Sequence, residues 1–142
     1  MGGTIFLIIW IAVTSWMIYT MYTRGKRAIS IFPSLDESKF PFVDKRASGY
    51  SNKSFKTKVG GAQNSLHVIV TDSELWLKST LLLASFSKYS DLLHRIPLSK
   101  IIDLAEKKNF LDIEFINEKD ERKLVSLKTK NNKQLARLLK PN

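Results

Sequence analysis

The chain has 142 residues, with 23 Lys and Arg against 13 Asp and Glu, a formal charge of +10 and no cysteine. That length suits one folded core of about a hundred residues, and the absence of cysteine excludes a disulfide framework, a thiolate nucleophile and a Cys-ligated metal. The excess charge is uneven: residues 24–58 carry nine basic side chains against three acids, 59–127 nine against ten, and 128–142 five against none.

Residues 4–23, TIFLIIWIAVTSWMIYTMYT, contain no charged side chain. At 1.5 Å per residue such a helix is about 30 Å long, the thickness of a hydrocarbon core. A cleaved signal would have a basic start, a shorter apolar run and small residues at its end, whereas this run starts Met1-Gly2-Gly3 and ends on Met17, Ile18, Tyr19, Met21 and Tyr22. Phe6 stands where a myristoylation signal needs Ser or Thr. The run is expected to be a single transmembrane helix, and no Gly-x-x-x-Gly pattern marks it for self-pairing. Arg24, Lys26 and Arg27 follow directly, so the positive-inside rule predicts the N-terminus outside and the following domain in the cytoplasm. The sequon Asn52-Lys53-Ser54 carries no weight on that side.

Residues 24–52 read as a basic juxtamembrane linker, interrupted by Pro33, Pro41 and Gly49. Its one apolar knot, Phe40-Pro41-Phe42-Val43, suits either a lead-in strand or a headgroup contact. From residue 53 to 142 the pattern is a single domain of about seven short strands and one helix. Strands are expected over 55–59, 66–71, 74–78, 81–86, 93–98, 101–106, 110–116 and 122–128, the hairpins turning at Gly60-Gly61, Asp72-Ser73 and residues 117–121. Thr129 is the expected N-cap of a final helix whose apolar stripe is Leu135, Leu138 and Leu139. Lys130, Lys133, Arg137 and Lys140 fall on a separate face, and Pro141 ends the helix.

The order of strands closed by one amphipathic helix resembles the pleckstrin-homology-like (PH-like) fold. Residues 66–77, LHVIVTDSELWL, resemble the Thr-Asp-x-x-Leu-hydrophobic-Leu hairpin of GRAM and bacterial PH-like domains, and residues 96–101, IPLSKI, resemble their Ile-Pro-Leu-x-x-Ile segment. The similarity covers residues 54–140. With the apolar helix, the chain is similar to uncharacterised bacterial membrane proteins that carry one such domain. The resemblance implies an α+β chain: one transmembrane helix, then a PH-like seven-stranded β-sandwich or barrel capped by a C-terminal helix. It leaves function open, because this fold serves lipid, peptide and oligomer contacts alike. Phosphoinositide-binding members place Lys and Arg through the first two strands and their loop. Here Lys53, Lys56 and Lys58 approach that loop, residues 60–65 carry no charge and the second strand offers His67. Ammonium groups attract anionic lipid generally but lack the bidentate fork of Arg.

No Gly-x-Ser-x-Gly elbow or phosphate-binding loop is present, and His67 and His94 have no partner at metal-ligand spacing. Asp112 and Glu114 share one strand face that reads as solvated. The expectation is a protein without catalysis, cofactor, metal or nucleic-acid partner. Two readings stay open. One is a membrane-anchored interaction module at the cytoplasmic face, binding a protein partner or its own copies. The other is a domain oriented on the anionic inner leaflet through Arg24, Lys26, Arg27, Lys53, Lys56, Lys58, Lys130, Lys133 and Arg137.

Overall fold

In the computed structural model, which describes residues 1–140, the uncharged run forms part of a longer helix, α1, Gly2–Ile29. It is long and apolar enough to cross a membrane, and none of its apolar window is covered by the rest of the protein. That exposure is opposite to that of a soluble core helix. Three of its threonines return their hydroxyl protons to the helix itself: Thr14 Oγ1 donates to the Trp10 carbonyl at 2.8 Å, Thr20 to Met17 at 2.8 Å and Thr23 to Thr20 at 3.1 Å. Those groups therefore need no water, as an apolar surrounding demands.

The helix does not end at residue 23, and the expected linker is not a linker. Arg24, Lys26 and Arg27 lie on its last turns, where cations complement the helix dipole, while Gly25 and Ala28 are buried. The chain then runs along the outer face of the sheet. Phe32 and Phe40 pack on Trp76 with ring centroids 5.9 and 5.6 Å apart, and Asp36 caps a 3-10 turn at Glu37–Lys39. Strand β1, Phe42–Ser51, follows, so the apolar knot is a lead-in strand, with Phe42 in the main core.

The remaining elements are α2 (Phe55–Val59), β2 (Ala62–Val70), β3 (Glu74–Ser79), α3 (Ala84–Tyr89), β4 (His94–Pro97), β5 (Ile101–Glu106), β6 (Leu111–Ile116), β7 (Arg122–Lys128) and α4 (Asn132–Leu139). The strands make one antiparallel sheet in the order β4-β3-β2-β1-β7-β6-β5. The architecture is thus α+β, with seven strands and a C-terminal helix. β1 serves two neighbours by bending. Most of its length pairs with β2 (Phe42 opposite Val70, Gly49 opposite Ala62) and its last residues with β7 (Ser48 opposite Lys128, Ser51 opposite Val125), with register shifts on the β2 side between Asp44 and Gly49. A Cβ on Gly49 at this bend would meet Leu127 Cδ2 at 2.8 Å, so the crowding requires glycine.

The sheet rolls up. β4 and β6 are far apart in strand order, yet the His94 ring stands edge-on to Phe115 at 5.1 Å, and Lys123 of β7 reaches Asp91, just before β4, at 2.7 Å. One core results, from Leu66, Val68, Leu77, Ile96, Ile113 and Val125, with Leu135, Ala136 and Leu139 of α4 packed into it. A smaller core lies on the outer face. There Ile69 and Trp76, paired across β2 and β3, are covered by Phe32 and Phe40. That outer cover accounts for residues 29–43.

Two expected strands are helices. Residues 55–59 (FKTKV) alternate as a strand would, but Ser54 and Thr57 form a reciprocal capping box that starts a helical turn. Residues 81–86 form a turn and the start of α3, whose Ala84 and Ser87 are buried. β1 supplies the missing strand from inside the expected linker. At α4 the N-cap is Asn131, accepting from Gln134 N at 3.0 Å, while Thr129 bonds to Asn132. The expected helix end at Pro141, and the last residues of the expected 53–142 domain, lie outside the described residues.

Candidate functional site

The nine basic side chains singled out by sequence fall into two groups at opposite ends of β1. Arg24 and Arg27 of α1 share a hollow with Ser85, Lys88 and Tyr89 of α3, and Lys26 lies between them on the same helix. α1 and α3 are in direct contact, and in the turn before α3 the carbonyl oxygen of Leu81 would overlap a Cβ on Gly25. Lys56 and Lys58 stand on α2, with Lys53 in the turn before it. α2 is tied to α3 because Ser90 Oγ donates to the Gly60 carbonyl at 2.7 Å. α1's last turns, α2 and α3 therefore form one end of the domain.

Lys130, Lys133 and Arg137 are at the other end. Lys130 is anchored to the start of β1: its amide donates to Asp44 Oδ2 at 2.7 Å, its Nζ donates to the Val43 carbonyl at 2.7 Å, and the ammonium lies 5.7 Å from the Phe42 ring centroid. Lys133 and Arg137 are exposed on α4. An unbent strand the length of β1 would span about 30 Å, so the two groups do not make one patch.

Where the rolled sheet curls over, the edge strand β4 meets the ends of β6 and β7 and leaves a seam. A cleft of about 490 Å³ opens there, lined by Leu93, Ile96, Phe115, Ile116, Lys119 and neighbours. Beside it sits a polar knot that sequence reading missed. Asp91, held at φ 55, accepts from Lys123 Nζ at 2.7 Å and from Ser51 Oγ at 3.1 Å, and its carbonyl oxygen is 2.7 Å from His94 Nε2. Burial alone would raise the Asp91 carboxyl, but Lys123, His94 and Ser51 outweigh it and hold its pKa below the aspartate range. Burial pushes the His94 pKa below the ordinary histidine value, against the pull of Asp91. The neutral ring can then donate Nε2–H to the Asp91 carbonyl. A lone polar residue before an apolar strand gives no sequence signal for such a knot, which depends on how the sheet curls.

A second network holds the outer cover. Glu74 Oε2 accepts from Trp76 Nε1 and Arg95 Nε, both at 2.6 Å, and Arg95 Nη1 donates to the Ile31 carbonyl at 3.2 Å. Glu37 pairs with Lys78 and Lys45. Asp112 is not on a solvated face: it is buried, accepts from Ser126 Oγ at 2.6 Å and pairs with Lys107 at 2.5 Å. Glu114 is partly covered and pairs with Arg122 at 3.4 Å. His67 is half-buried, and its pKa is lowered by burial and then by nearby Lys78. Among the described residues no three His, Asp or Glu side chains converge as a metal site would require. No family model matches the chain, and no curated protein matches it.

Proposed function

We propose that this chain is a single-pass membrane protein whose PH-like domain is a non-catalytic interaction module, fixed at the cytoplasmic face and engaging a protein partner at the seam between β4 and β6. The docking of α1 on the domain carries this reading. The close approach of Gly25 to Leu81 and the packing of Phe32 and Phe40 on Trp76 leave no free linker between helix and sheet. A domain held this way presents one constant face to whatever lies beside it in the membrane. The seven-stranded antiparallel order with a C-terminal helix in the core supports the resemblance drawn from residues 66–77 and 96–101. The apolar length of α1 supports the span, and Arg24, Lys26 and Arg27 at its end support the cytoplasmic orientation.

The seam suits an extended segment. β4 pairs on one side only, so it offers unpaired backbone groups for strand addition, next to a cleft lined by Leu93, Ile116 and Lys119. The test uses a photo-crosslinking residue placed singly at Lys100 or Lys119 in the full chain, in its own membrane, with Lys133 as control. A discrete adduct from the seam positions and none from Lys133 supports the reading, and a self-adduct makes the partner a second copy. Equal capture at all three positions contradicts it. The second reading, orientation on anionic lipid, is favoured by one observation: Arg24, Arg27 and Lys88 surround a single hollow at the exit of α1.

A further inference from the structure

Beyond α1 and its N-cap Met1, ten large apolar side chains are exposed among the described residues, and six of them belong to α2, α3 and the turn entering α3. Phe55 is 82 % exposed, Val59 71 %, Phe86 59 % and Tyr89 92 %, joined by Leu82 and Leu83. Water is a poor surrounding for so dense a patch, and a patch of this kind marks a contact surface. Its spacing is ordered. Phe55 and Val59 are four residues apart on α2, and Phe86 and Tyr89 three apart on α3, with Leu82 and Leu83 in the turn before it, so each short helix carries an apolar pair. Lys56, Lys58 and Lys88 are interspersed.

The position of this patch names its occupant. The turn entering α3 touches α1 at Gly25, two residues past the uncharged run, and α3 itself packs on α1. At 1.5 Å per residue, Gly25 to Ala28 lie about 3–8 Å beyond the end of the apolar segment, which is the depth of a headgroup layer. The C-terminal end of α2 is held beside α3 by the Ser90–Gly60 bond, and a hollow lined by Gly60, Leu83 and Phe86 lies between that end and α3. We propose that α2 and α3 form a collar lying in the interface of the bilayer that α1 crosses, with Phe55, Val59, Leu82, Phe86 and Tyr89 toward the acyl chains. Lys56, Lys58 and Lys88, with Arg24 and Arg27, meet anionic phosphates around it. Amphipathic side chains of this type favour that layer. The collar rests on the membrane-spanning reading of α1. It turns a single span into a mount with a defined rotation and tilt, and it points α4 away from the lipid.

The chain has no cysteine, so single cysteines carrying a polarity-sensitive dye report one site at a time. Full-length Ile11→Cys, Phe55→Cys, Phe86→Cys, Tyr89→Cys and Lys133→Cys are reconstituted in phosphatidylcholine–phosphatidylglycerol vesicles containing lipid-attached quenchers at headgroup or mid-chain depth. The collar predicts mid-chain quenching at Ile11, blue-shifted emission with headgroup-level quenching at Phe55, Phe86 and Tyr89, and water-like emission at Lys133. Water-like emission at all three collar positions, with Ile11 still deep, overturns the collar and leaves the span intact. Water-like emission at Ile11 overturns the span and the collar with it. Because each label is a separate variant at an exposed position, a folding defect in one leaves the other two to decide.

Discussion

Gly25 of α1 lies so close to Leu81 that a Cβ would overlap the Leu81 carbonyl oxygen and stand 3.0 Å from its carbon. The obstacle is backbone, not a side chain that can swing aside. This contact joins the apolar helix to the folded domain, and it makes glycine a requirement at residue 25.

Gly25→Val is therefore expected to push α1 off α3 at a cost of about 1–3 kcal/mol. Gly3→Val, where a Cβ meets nothing within 4 Å, serves as control. Limited proteolysis of the full chain in nanodiscs reads the difference. The first variant is expected to be cut faster between residues 30 and 41, and the second to match the parent.

Trp76 is 2 % exposed and holds Phe32 and Phe40 on the outer face of the sheet. Trp76→Ala is expected to cost about 3–5 kcal/mol and to free the segment from Ile29 to Phe40. A lower thermal midpoint together with new cleavage in that segment is the expected outcome. A lower midpoint without new cleavage would mean that the outer cover is held by something else.

The basic residues near α4 are expected to divide. Lys133→Gln and Arg137→Gln change exposed side chains and should leave stability within about 0.5 kcal/mol. Lys130→Gln removes the bond to the Val43 carbonyl and the contact with Phe42, and is expected to cost about 0.5–1 kcal/mol. Leu135→Asp, at a fully buried position, is expected to abolish folding because it places a carboxylate against the core. Thermal melts of the four variants check the order.

Stability should fall with acid in two stages. His94 and His67 have lowered pKa values in the folded state, so below about pH 6.5 the unfolded chain takes up protons that the folded chain refuses. Their contribution is full above that pH and declines as pH falls from it toward the folded-state values. Glu37, Glu74 and Asp91 are also lowered, from ordinary values of 4.5, 4.5 and 3.8. Their stabilisation is present above those values and is lost as pH falls further. Thermal midpoints across the pH series are expected to drop first below neutrality. His94→Gln is expected to flatten that first drop without removing it, since His67 remains.

Much of this fold is legible in the sequence, and the failures have physical causes. The uncharged run of α1 needs nothing beyond length and composition. The β2–β3 hairpin shows in the alternation of Leu66, Val68 and Val70, which face the core. β1 is hidden because Asp44, Lys45 and Arg46 interrupt its apolar pattern. Asp44 is there to receive the Lys130 amide and the Arg46 amide, a use that depends on residues 86 positions away. Residues 55–59 satisfy two periods at once, since Phe55, Thr57 and Val59 alternate while Phe55 and Val59 are also one helical turn apart. The Ser54–Thr57 capping box decides for the helix. At α3 only Phe86 and Tyr89, three residues apart, carry a helical signal, while the apolar residues Leu81 to Leu83 before it lie in a turn and read as a strand.

The site is less legible than the fold. Sequence gathers nine cations into one anionic-lipid surface, but the length of β1 divides them between two ends. The apolar side chains of α2 and α3 change the chemistry at the α1 end, and they are invisible as a patch until Ser90 ties the two helices together. The seam and the Asp91 knot depend on sheet curvature, which brings Ser51, Asp91 and Lys123 together from three parts of the chain.

The most direct test of the account is sidedness. Gly3→Cys and Lys133→Cys are treated with a membrane-impermeant maleimide, in sealed cells and after permeabilisation. The account predicts labelling of Gly3→Cys in sealed cells and of Lys133→Cys only once the membrane is opened. Labelling of Lys133→Cys in sealed cells would contradict the cytoplasmic domain, and labelling of both positions from one side would contradict the span.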